Sequence, residues 1–152
     1  MRIQENKYLI DNNNTSSRYG IISGLFMAIA LLLFQISGND YMPALKFLKY
    51  IFLAIPIVFI LNMYKHNLND RIFVKGFSLG AKLSMIAGFV LIISNVILYL
   101  VAPEYSFSKF TIEPSSWVGM ALVSLSLFFE TFVIGSLITF ITVQYLKEKS
   151  RR

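Results

Sequence analysis

The chain of 152 residues contains no cysteine and a single histidine. Without thiols there is no disulfide, no thiolate metal site and no cysteine nucleophile. The lone His66 stands at the edge of an apolar run, and a metal centre needs more ligands than one imidazole. Neither a metal nor a cofactor is expected. Charge is also scarce: charged residues are 14% of the chain, against roughly 25% in soluble domains. The sequence lacks His-Glu-x-x-His, Gly-x-Ser-x-Gly, paired aspartates and a phosphate-cradling glycine loop ending in Lys-Ser/Thr, the patterns that carry metal, serine and phosphate chemistry. An enzyme is therefore not expected. The net charge of +6 is scattered over the ends of apolar runs, not gathered in one patch, so no nucleic-acid partner is expected either.

What the chain does have is length in its apolar runs. Hydrophobic residues are 56% of the total, arranged in stretches long enough to cross a bilayer. The expected fold class is all-α: a polytopic membrane protein with four transmembrane helices in one bundle, surrounded by lipid. The spans are expected at 19–36, 44–64, 76–101 and 117–146. Residues 1–18 read as a polar tail, disordered up to a helix cap at Ser16 or Ser17. The first apolar run ends in Gln35, Ile36, Ser37 and Gly38 without a small-x-small cleavage site, which favours a retained span over a signal peptide. Residues 37–42 read as a tight external turn, with Asn39 or Asp40 capping the next helix and Pro43 in its first turn. Residues 65–75 read as a polar loop, and 102–116 as a longer external loop whose Tyr105, Phe107 and Phe110 rest with Trp117 in the headgroup region. A basic tail closes the chain at 147–152.

Orientation follows from Lys and Arg. Arg2, Lys7, Arg18, Lys65, Arg71, Lys75, Lys147, Lys149, Arg151 and Arg152 fall on one side of this topology, and Lys46, Lys49 and Lys109 on the other. The positive-inside rule puts both termini in the cytoplasm. Lys46 and Lys49 are expected to snorkel outward to the headgroups, and Lys82 inward.

Small residues mark close packing in lipid, where no hydrophobic effect drives helices together. Gly20, Gly24 and Ala28 form one four-residue stripe, and Gly76, Gly80, Ser84 and Gly88 another. Both lie near the cytoplasmic ends of their spans, so spans one and three are expected to meet through them. Pro56, midway along span two, removes a backbone donor and is expected to kink that helix, freeing the Phe52 carbonyl.

One acid, Glu130, lies deep in the last span. An acid at that depth points inward, toward a partner or a proton. The expected partners are Ser94 or Asn95 on span three and the Phe52 carbonyl, with Ser126 one turn away on the same face. With no cation evident at that depth, desolvation favours a neutral carboxyl.

The segments YGIISGLFMAIALLLF, VKGFSLGAKLSMIAGFVLI and FFETFVIGSLITFITVQYLKEK resemble a family of small four-span membrane proteins widespread in the Bacteroidota, a domain of unknown function. The resemblance runs over most of the chain from Tyr19, with a shorter external loop here. It implies a bacterial inner-membrane location and carries no catalytic residues. Two functions fit this sequence. One is a non-catalytic accessory or assembly subunit that packs against itself or another membrane protein. The other is a small oligomeric transporter or channel with Glu130 as its proton- or cation-binding group.

Overall fold

A computed structural model of the chain describes residues 2–36, 47–68, 72–102 and 117–151. They form four helices: α1 (Arg2–Ile36), α2 (Ile51–Leu68), α3 (Ile72–Val101) and α4 (Trp117–Arg151). The described residues contain no strand, so the class is all-α. Apolar stretches in α1, α3 and α4 are long enough to cross a membrane: Asn14–Phe34, Phe73–Val101 and Trp117–Glu148. The apolar part of α2 is only Ile51–Met63. At ~1.5 Å per residue it reaches about 20 Å, short of a ~30 Å hydrocarbon core. Residues 44–46, where span two was expected to begin, lie outside the described residues, as do the turn at 37–42, Lys46 and residues 103–116 of the external loop.

Three expected boundaries are corrected. The tail at 1–18 is helical from Arg2, continuous with the apolar part of α1, and no new helix starts at Ser16 or Ser17. Nucleation is the costly step, so a helix already held by packing extends into a polar flank at little cost, even through the Asn run. For the same reason the loop expected at 65–75 is mostly helix: α2 runs on to Leu68 and α3 begins at Ile72. The basic tail likewise continues α4 to Arg151.

Close approaches at glycines give the direction of each helix. A Cβ on Gly20 would meet Leu83 and Ile86, and one on Gly24 would meet Ala87 and Val90. Residue numbers rise together, so α1 and α3 run parallel. Gly80 meets Thr139 and Gly88 meets Phe128, while Ser84 meets Gly135; α3 and α4 are antiparallel. The ring pairs Tyr19–Phe59 and Phe26–Phe52 set α2 antiparallel to α1. The shared core is built by Met27, Leu31, Leu53, Ile57, Leu83 and Leu91, all buried.

The packing of the small-residue stripes differs from expectation. α1 does approach α3 through Gly20 and Gly24, and Ala28 is buried. The stripe on α3, however, turns toward α4: Gly80 and Gly88 receive Thr139 and Phe128, and Gly76 receives Val143 of α4 with Leu61 of α2. The α1 glycines meet bulky residues on another face of α3. Each α1 glycine thus seats a protruding side chain of α3, Ile86 or Val90, in place of a second glycine.

Candidate functional site

The polar centre of the bundle forms where α2 begins. The Tyr50 N–H donates to the Phe47 carbonyl at 3.0 Å, and the Leu53 and Ala54 N–H groups both donate to the Tyr50 carbonyl, at 3.1 and 2.8 Å. This tight turn leads straight into α2. Leu53 lies beside Gly135, while Leu61 and Val143 both meet Gly76, so α2 runs parallel to α4 and its first turn comes level with Glu130. There the Lys49 ammonium donates to Glu130 Oε2 at 3.4 Å. Lys49 also lies over the Tyr50 ring, 4.8 Å from its centroid, within the range of a cation–π attraction. The buried Tyr50 hydroxyl neighbours the same carboxylate and has no hydrogen-bond partner of good geometry.

The two partners differ in burial. The Lys49 side chain is 4% exposed and that of Glu130 is 41% exposed. The ammonium is enclosed by the bundle, and the carboxylate seals it from outside. At 3.4 Å the contact is longer than a close charge-assisted hydrogen bond of ~2.7–2.9 Å, so attraction of charge contributes more than directional bonding. Leu125, Phe129 and Val133, around Glu130 on α4, are exposed and apolar.

This arrangement corrects two expectations. Lys49 does not snorkel outward; the tight turn that leads into α2 places it against α4. Glu130 has a cation at its depth, Lys49, where none was expected. Among the described residues neither Ser94, Asn95 nor the Phe52 carbonyl bonds to it. Ser94 is half-buried on α3, and Pro56 is half-buried inside α2. Ser126, one turn from Glu130, is exposed.

Asn95 belongs to a second polar contact. It is fully buried, and its Nδ2 donates to Ser124 Oγ at 2.9 Å, tying α3 to α4. Sequence reasoning singled out Asn95 but missed Ser124, since only the antiparallel register brings the two together. It also missed Lys49 and Tyr50 as site residues. The available signal was Lys49 standing three residues beyond Lys46 and already inside an apolar run.

Chemically the centre holds one acid, one base and one phenol. Among the described residues no three of His, Cys, Asp or Glu gather as a metal site would require. No family model, curated protein or solved structure matches this chain.

Proposed function

We propose that this is a non-catalytic integral membrane protein that acts as an accessory or assembly subunit, packing against itself or another membrane protein. The open flank of Glu130 carries this reading. Glu130 lies about 20 Å along α4 from Trp117 at ~1.5 Å per residue, which is deep in a ~30 Å core when Trp117 marks the interface. There a 41% exposed acidic side chain stands among exposed apolar residues. An acid at mid-membrane costs at least about 2.5 kcal/mol on insertion scales, even before a flank is left against lipid. A second protein surface over that flank removes most of the penalty.

The parallel course of α1 and α3 supports four crossings, because the chain between them has to return. The excess of Lys and Arg at both ends of the chain supports cytoplasmic termini. The resemblance to the Bacteroidota family supports the bacterial inner membrane. The transporter reading is the weaker one, since Lys49 already occupies the position beside Glu130 that a carried cation would take. Native mass spectrometry from a mild detergent tests the proposal. A stoichiometric homo-oligomer or a complex with another membrane protein is expected; a bare monomer would refute it.

A further inference from the structure

Resting on the assembly reading, we infer that the surface covering Glu130 is α4 of a second copy of this chain, with the Ser126 hydroxyl of each copy donating to the Glu130 carboxylate of the other. Ser84, Thr139 and Thr142 each donate to the carbonyl four residues back in their own helix, at 2.8, 2.7 and 2.8 Å. Ser124 receives the Asn95 amide. Ser126 is exposed and makes no hydrogen bond among the described residues. Hydroxyls without a partner also occur inside the bundle, at Ser16, Ser23, Thr131 and Ser136, but those are buried, whereas Ser126 is exposed on the face that carries Glu130.

Ser126 and Glu130 are one helical turn apart and so share a face. Around them Leu122, Leu125, Phe129, Val133 and Leu137 are all exposed and apolar. The face therefore carries one unused donor and one half-covered acceptor inside an apolar surround. That combination is self-complementary. Copies inserted with the same orientation place these residues at equal depth. A two-fold axis along the membrane normal then brings each Ser126 within a turn of the opposite Glu130, as an isologous interface requires. A different partner would have to supply a donor for Glu130 and would leave Ser126 unexplained. The ammonium of Lys49 stays behind the carboxylate on the inner side, so each Glu130 brings its own counter-ion to the interface.

The absence of native cysteine makes the test direct. In membranes holding full-length Ser126→Cys, copper-phenanthroline oxidation is expected to give a band of twice the monomer mass. Leu25→Cys, exposed on α1, is expected to stay monomeric. In detergent, Ser126→Ala is expected to raise the dimer dissociation constant about tenfold to a hundredfold, for two intramembrane hydrogen bonds lost per dimer. Ser126→Thr, which keeps the hydroxyl, is expected to retain the dimer. A homo-oligomer whose Ser126→Cys form links no better than Leu25→Cys would overturn this inference and leave the assembly reading standing. So would a stoichiometric complex with a different chain. A monomer without any companion in native mass spectrometry would overturn both.

Discussion

The side chain of Ser84 fills the gap that Gly135 leaves on α4, while its hydroxyl bonds to the Gly80 carbonyl of its own helix at 2.8 Å. One turn away the relationship is reversed. Thr139 fills the gap at Gly80 and bonds to the Gly135 carbonyl at 2.7 Å. Each helix thus offers one glycine notch and one small hydroxyl knob, and each of these two hydroxyls bonds to a carbonyl of its own helix.

This interlock predicts a sharp sensitivity at two glycines. Gly80→Ala and Gly135→Ala should each lower the melting midpoint in detergent, since the added methyl would overlap Thr139 or Ser84. Overpacking of this kind costs about 1–3 kcal/mol. Leu33→Ile, on an exposed position of α1, should leave the midpoint near the parent value. Equal midpoints for all three variants would contradict the interlock.

A second prediction concerns the ion pair. Lys49→Met leaves an acid without its cation, and Glu130→Gln leaves a buried ammonium without its anion. The latter should be the more damaging, because Lys49 is the better enclosed partner. Removing one member of a buried pair costs about 3–5 kcal/mol, and the open side of Glu130 should bring the Lys49→Met loss below that range. The double variant should be more stable than the two single losses imply. Additive losses in a double-mutant cycle measured by thermal unfolding would show that the two side chains are not coupled.

The Asn95–Ser124 bond should behave as an ordinary intramembrane hydrogen bond. Ser124→Ala is expected to cost about 0.6–1.7 kcal/mol, less than either glycine substitution. Asn95→Leu should cost more, since it also forces a branched apolar side chain into a fully buried site. Denaturation in mixed micelles measures both. A Ser124→Ala loss exceeding that of Gly80→Ala would reverse the assigned ranking.

Topology offers the fourth prediction. Alkaline phosphatase, which folds only outside the cytoplasm, should be inactive when fused after Arg152 and active when inserted within residues 106–113. A fluorescent protein that matures only in the cytoplasm should give the opposite pattern. An active phosphatase after Arg152 would refute both the orientation and the even number of crossings.

Much of the architecture is legible in the sequence because lipid imposes a local rule: every backbone group must be satisfied within its own segment. Long apolar runs therefore report helices directly. Three of the apolar runs lie in helices long and apolar enough to cross a membrane. Glu130 and Asn95 stand out as polar residues in apolar surroundings, and Gly20 and Gly24 as residues that permit close approach. All of these are properties of one segment at a time.

Which groups meet is a property of two helices together, and it follows from their register. The Gly80 stripe faces Thr139 on α4 because an antiparallel register offers a knob there, whereas the α1 glycines face Ile86 and Val90. Lys49 pairs with Glu130 because α2 starts level with the middle of α4, a depth that hydropathy alone placed differently. Ser124 meets Asn95 for the same reason of register. Rotation about the axis and displacement along it leave the composition of a helix unchanged. That these helices form is therefore written in each segment, and packing against their neighbours set which polar side chains meet.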